Sequence, residues 1–324
     1  MSPVLRILIA LTMGLASPAF AQSDAPPRPA VPTPSSGTIV WWPDHAPARE
    51  VGVTDIWVWL PEGYALHPER RFPVVYMHDA ENIFDPRLSN FNKEWQIDEA
   101  VTRMAARGDL REWIVVGLRS PANRYQTLFP QKLMEHLPAE IREAVRNIDV
   151  EGIESGPALR GDRYAAMIAR TLKPRVDAAF RTLPTASDTA VMGSSMGGLM
   201  SIYLMAEYPD VFGQAAGLST HLPLAAPDQG EPARRAAQVA DAFASYFAQT
   251  RLDPARNRIY IDHGTATLDA FYPPFFEAFD AMMAQRGWRG PAYESRAFFG
   301  AEHEENAWAQ RIDIPLAFID RADP

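Results

Sequence analysis

Residues 189–199 read TAVMGSSMGGL, and within them Gly193-Ser194-Ser195-Met196-Gly197 has the spacing Gly-x-Ser-x-Gly. A short β-type run precedes this motif and a helical apolar spacing follows it, so the serine falls on a strand-to-helix turn. Glycine on either side permits a turn sharp enough to raise the serine above a sheet. The N-terminus of the following helix then offers backbone N–H groups to a developing oxyanion. Ser195 is therefore the expected nucleophile of an acyl transfer through a covalent intermediate. Ser194 is the weaker candidate, because the glycines centre on Ser195. The plain alternative is a glycine-rich corner whose serines only cap the helix.

A serine hydroxyl needs a base, and the base needs an orienting acid; on a strand–turn–helix scaffold of this kind the chain order is Ser, Asp or Glu, His. Of seven histidines, His263 and His303 lie well beyond the nucleophile, and His221 sits closer to it. His303 stands in FFGAEHEENAW (298–308), after an apolar run and a glycine loop and before a helical pattern, where a hinged general base is expected. Its neighbours Glu302, Glu304 and Glu305 suit a helix N-terminus, and HExxH is absent, so no metal site is expected. The acid stays open between Asp262 and Asp269 in DHGTATLD (262–269). Asp269 is preferred, since a loop carboxylate can turn back toward a histidine while a strand-end residue is often committed to the sheet.

The expected oxyanion donors are the backbone N–H of Met196 and that of Glu81, with Ala80 as the alternative, in the loop MHDAEN (77–82). His78 and Asp79 of that loop read as a buried turn network rather than as catalytic groups. Trp95, Tyr125 and Phe271 are candidates for a substrate pocket, as are Phe129, Tyr272 and Phe275, although core packing is the commoner fate of such side chains.

These residues need a frame. Short apolar or β-branched runs recur at 38–42, 55–60, 73–77, 113–118, 189–192, 215–218, 258–262 and 293–299, and helical spacings at 164–180, 197–208, 233–249, 271–285 and 304–319. Strands alternating with helices predict an α/β fold with a mostly parallel central sheet and helices on both faces; the two earliest runs can pair antiparallel at its edge. Residues 131–162 break the rhythm, and two readings stand: a cap excursion over the site, or a solvated decoration.

The first residues, MSPVLRILIALTMGLASPAFAQ, carry Arg6, then an apolar run too short for a stable anchor, then Ala19-Phe20-Ala21, the small-x-small form of a cleavage site. Residues 1–21 are expected to be a signal peptide, which places the mature protein in a periplasm or outside the cell. Residues 22–37 are rich in Pro and Ser and are expected to be a flexible tether, leaving 38–324 as a single domain. The sequence has no cysteine, which excludes disulfides, thiolate metal sites and a cysteine nucleophile. Its net charge of −9, without a basic run, makes nucleic acid a poor partner. No GxGxxG or P-loop is present, and no cofactor is expected.

With these pieces in place the chain resembles the putative-esterase family of α/β-hydrolases, which includes esterase D, enterochelin esterases, feruloyl and acetyl-xylan esterases and the mycolyltransferases. The resemblance rests on PVVYMHDAENIFD (73–85), EWQIDE (94–99), IVVGL (114–118), GSSMGG (193–198) and the segment 300–308. It implies Ser195 as nucleophile, His303 as base, and Met196 and Glu81 as oxyanion donors. Two departures accompany it: Ala80 stands where the family often has glycine, and Thr267 falls near where many members place the acid. The resemblance implies hydrolysis of a small-molecule or carbohydrate-linked ester. Acyl transfer to a sugar or lipid alcohol, and a non-catalytic binding module on the same scaffold, are the alternatives.

Overall fold

The computed structural model describes residues 30–42, 46–89, 91–148, 158–227 and 230–320. The expected signal peptide, the first part of the expected tether and residues 149–157 of the excursion lie outside these. From Val31 onward the chain forms one compact unit.

Among the described residues, eight strands build one sheet: β1 (Thr38–Trp41), β2 (Ile56–Leu60), β3 (Val74–His78), β4 (Ile114–Leu118), β5 (Thr189–Ser194), β6 (Gln214–Leu218), β7 (Arg258–His263) and β8 (Tyr293–Ala297). Their spatial order is β1-β2-β4-β3-β5-β6-β7-β8. The β1–β2 and β2–β4 pairs are antiparallel and the remainder parallel; the apolar runs predict the antiparallel β1–β2 edge and the parallel majority. Strands β3 to β7 are buried along their whole length, whereas β1 alternates between exposed and half-buried positions and β8 has no fully buried residue. That contrast explains why the middle strands are nearly continuous apolar runs, for their two faces meet two separate cores. Val74 and Tyr76 of β3 enter one core and Val75 and Met77 the other, the two-residue period of a pleated strand.

The chain leaves β3 toward β4 on one side and returns as β5 on the other. The loops after β3 and β5 therefore diverge at a topological switch point, where an open α/β sheet leaves a crevice beyond the carboxyl ends of its strands. The helix Met196–Glu207 follows β5 and is buried on almost every face, so its seat beneath that crevice is fixed by packing all round.

Three elements differ from expectation. Residues 31–37 are not a loose tether but a strap laid on the domain: Thr33 N–H donates to Asp85 (2.9 Å), Ser35 N–H to Asp98 (2.7 Å), and Trp59 Nε1 donates to the Ser36 carbonyl (2.7 Å). Proline and serine make the strap poor at burying its own surface, yet its N–H groups find acceptors in Asp85, beyond β3, and in Asp98 of the helix Ile97–Arg107, an element not anticipated above. The helical spacing over 304–319 resolves into Glu305–Ala309 and Asp313–Ile319, because Pro315 supplies no N–H and sits in the first turn of a new helix. In the excursion, Leu133, Ile141 and Val145 are core residues, Lys132 pairs with Glu207, and Glu140 pairs with Arg234. Its described part thus packs on the far end of the helix Met196–Glu207 and on the helix Pro232–Phe247.

Candidate active site

Ser195 occupies the turn between β5 and the helix Met196–Glu207 with φ 53° and ψ −118°, a conformation an L-residue rarely holds. The surroundings hold it there. Its N–H donates to the Leu218 carbonyl (2.9 Å), and its own carbonyl accepts from Leu199 N–H (3.1 Å) and His221 N–H (3.1 Å). The flanking glycines are required by contact: a Cβ on Gly193 would lie 2.6 Å from the Gly197 carbonyl carbon.

His303 and Asp269 come together from two loops. The His303 Nδ1 lies 2.6 Å from Asp269 Oδ1, and the carboxylate is fully buried. The other carboxylate oxygen, Oδ2, accepts from Gly264 N–H (2.6 Å) and from the Ser219 hydroxyl (2.6 Å). Burial alone would raise the Asp269 pKa, but the hydrogen bond and charge of His303, with Ser219 and Gly264, hold it below the usual carboxylate value. Thr267, the departure noted above, accepts the His303 backbone N–H at 2.9 Å and so fixes the histidine loop rather than replacing the acid.

Asp262 is committed elsewhere. It pairs with Arg311 (2.9 and 3.2 Å) and accepts Ser219 N–H (2.9 Å) and the Tyr260 hydroxyl (3.0 Å). The geometry separates the two candidates: Asp269 meets His303, and Asp262 locks the strand end to the C-terminal helices.

On the other side of Ser195, Asp79 takes a left-handed conformation (φ 59°) and opens the short helical turn Ala80–Asn82. Glu81 is buried, and its carboxylate accepts Ser120 N–H (3.0 Å), which fixes the backbone whose N–H groups face the crevice in the sequence-based expectation. Met196 begins its helix, so its N–H has no preceding turn to bond. Asp79 receives two hydrogen bonds from Arg124 (2.7 and 2.6 Å). His78 is buried against the Tyr164 hydroxyl (2.7 Å), and burial lowers its pKa to about 4, which keeps it neutral.

Ser195 and His303 line one cleft of about 430 Å³ together with Asp79, Glu81, Arg124, Phe91, Lys93, Glu304 and Trp308. The expected pocket residues do not line it. Trp95 is buried with its ring 5.4 Å from that of Trp308, Tyr125 is buried with its hydroxyl on the Leu224 carbonyl, and Phe271 is exposed outside the cleft. The sequence position of an aromatic residue says nothing of which core layer it enters, and here Phe91 and Trp308 supply the apolar surface. Sequence reasoning also missed Arg124 and Ser219, whose partners lie 45 and 50 residues away.

The family described as "Putative esterase" matches residues 52–140 and 153–318. No curated protein sequence matches the chain significantly. Among solved structures the chain is similar to a ferulic acid esterase (16% identity, TM-score 0.59, covering 87% of this chain and 98% of that one). It is similar also to a mutant feruloyl esterase module from Clostridium thermocellum complexed with sinapinate (18%, TM-score 0.55, 90% and 92%). A third likeness is to the enterobactin esterase of Shigella flexneri in the presence of enterobactin (14%, TM-score 0.56, 89% of this chain), of which the chain spans 60%. At these identities the structural likeness concerns the α/β-hydrolase fold, while the sequence match reaches across most of the chain: it belongs to the putative-esterase family, hydrolases that act on ester bonds.

Proposed function

We propose that this esterase is an exported serine carboxylesterase working through a Ser195–His303–Asp269 triad and an acyl-enzyme. The observation that carries the reading is the buried Asp269 carboxylate on His303 Nδ1, in the same cleft as a serine held at φ 53°. With Nδ1 engaged, Nε2 is the nitrogen left to take the serine proton. Oγ then attacks the ester carbonyl, and the N–H groups of Met196 and Glu81 receive the oxyanion. His303 returns the proton to the leaving alcohol, and water repeats the cycle on the acyl-enzyme. Phe91 and Trp308 give the cleft two flat apolar surfaces. That suits an ester with an aromatic acyl or alcohol group, including one linked to a carbohydrate. Export rests on the leader read in residues 1–21.

Reaction of the mature protein with a fluorophosphonate, followed by peptide mapping, tests the mechanism without knowledge of the substrate. Label on Ser195, lost in His303→Ala, is the expected result. Absence of label on a folded sample, or label on Ser194, overturns it.

A further inference from the structure

Among the described residues four acids line the Ser195 cleft, and three of them are engaged. Asp79 holds Arg124, and Glu81 accepts Ser120 N–H. Glu304 accepts the N–H groups of Asn306 (3.1 Å) and Ala307 (2.8 Å) and pairs with Lys93 (2.7 Å). The fourth, Glu305, differs. It is only 7% exposed, yet apart from its own backbone N–H no described residue hydrogen-bonds or ion-pairs with its carboxylate. Burial raises its pKa above the usual glutamate value, with Glu304 adding to the rise and Lys93 and His303 opposing it. Buried polar groups nearly always have partners, and a carboxylate withdrawn from water without one costs stability. Its position on the wall of the cleft gives a reason for that cost: the partner arrives with the ligand.

The same position says which part of an ester it meets. Glu305 and Trp308 stand three residues apart on the helix Glu305–Ala309 and so share a face, and the Trp308 ring stands edge-on to that of His303 with centroids 5.3 Å apart. The two residues form the wall beside the imidazole. His303 passes its proton to the leaving oxygen, so this wall borders the alcohol rather than the acyl group. A neutral hydroxyl suits the carboxylate better than an ammonium, because Lys93, paired with the adjacent Glu304, already brings a positive charge to this wall. We propose that Glu305 is a substrate-binding residue whose carboxylate accepts a hydrogen bond from a free hydroxyl on the leaving alcohol, so that the favoured substrates are monoesters of diols and polyols with a hydroxyl close to the ester oxygen. The inference deepens the carboxylesterase reading and rests on its triad, which sets the side of the cleft the alcohol occupies. A hydrogen bond to a charged acceptor contributes more than one between neutral groups. An ether in place of the hydroxyl leaves Glu305 unpaired and sets a second acceptor against it, and a site with an unpaired buried polar group discriminates strongly against such an analogue.

The test compares kcat/KM for ethylene glycol monobenzoate and for its methyl ether, in the wild type, Glu305→Leu and Glu305→Gln, with the melting temperature measured beside it. The two esters share an acyl group, so their ratio within one protein cancels any difference in folded fraction or in the chemistry at Ser195. The wild type is expected to favour the free hydroxyl by about 10- to 100-fold. In Glu305→Leu the ratio is expected to fall to within about twofold of unity, and the protein to melt no lower than the wild type, since an unpaired buried carboxylate is replaced by an apolar side chain of similar size. Glu305→Gln, a neutral acceptor, is expected to lie between the two. A wild-type preference below about fivefold, or one that survives in Glu305→Leu, overturns the proposal; a lower melting temperature with the preference intact marks a purely structural carboxylate. If Glu305→Leu does not fold, a preference in Glu305→Gln equal to that of the wild type overturns it. Hydrolysis of both esters at equal rates sinks this inference and leaves the triad standing, whereas a wild type that neither hydrolyses them nor takes the fluorophosphonate label removes the hydrolase reading itself.

Discussion

At the scale of single residues, the two aspartates after β7 divide two tasks that one sequence motif does not distinguish. Asp269 serves the imidazole of His303, while Asp262 neutralises Arg311 at no measurable exposure. Removing one partner of a buried ion pair leaves an uncompensated charge and costs about 3–5 kcal/mol. Removing the charge behind a general base instead costs turnover, on the order of 10⁴-fold where the wrong tautomer results. Asp269→Asn is therefore expected to lower kcat by roughly 10³- to 10⁴-fold while melting near the wild-type temperature. Asp262→Asn is expected to lower the melting temperature by about 6 °C or more and to cost the folded fraction far less activity. Ester hydrolysis and thermal unfolding, measured on both variants, check the assignment; the reverse pattern would exchange the two roles. That Ser195 stands on a strand-to-helix turn, and that Asp269 rather than Asp262 meets His303, was legible because each lies in a local pattern with a mechanical meaning. Arg124 and Ser219 were not, because what matters in each is a partner brought close only by the crossing of β-strands.

At the scale of elements, the sheet was legible because burial on two faces writes itself as apolar runs, whereas the split of the last helix was not read, although Pro315 stands in the first turn of its second half. The helix Ile97–Arg107 carries its own signal, with Ile97, Ala100, Val101 and Met104 buried at helical spacing. The strap over 31–37 carries none, since composition reports what a segment can bury and not which acceptors await its N–H groups. Those acceptors make it pH-sensitive. Burial first, and then the charge of Glu99, raise the acceptor Asp98 to about 7, and burial with the charges of Glu99 and Asp85 raises Glu94 likewise to about 7. A carboxyl whose pKa is higher in the folded chain than in the unfolded one contributes stability that is fully present below the unfolded value, about 4, and lost as pH rises through 7. The melting temperature is accordingly expected to fall by about 3–6 °C between pH 5 and pH 8. Asp98→Asn keeps an oxygen for Ser35 and Ser36 and mimics the protonated acid. It is expected to flatten that slope; an unchanged slope would show that the pair does not titrate in this range.

At the scale of the whole molecule, charge decides which esters reach the cleft most readily. The chain carries 40 acidic against 31 basic side chains. Near Ser195 the two cations lining the cleft are already matched, Arg124 by Asp79 and Lys93 by Glu304 at 2.7 Å, which leaves Glu81 and Glu305 without an ion-pair partner among the lining residues. Local and global fields therefore have the same sign, and both fade as salt shortens the Debye length from ~30 Å at 0.01 M to ~8 Å at 0.15 M. For a neutral ester, kcat/KM is expected to be flat over this range. For an ester of the same reactivity bearing a remote carboxylate it is expected to rise several-fold with salt, and for one bearing a quaternary ammonium to fall. A decrease for the anionic ester would mean that its carboxylate displaces Asp79 from Arg124. Substrate charge would then be read at the nucleophile by one guanidinium, and not by the molecule's overall field.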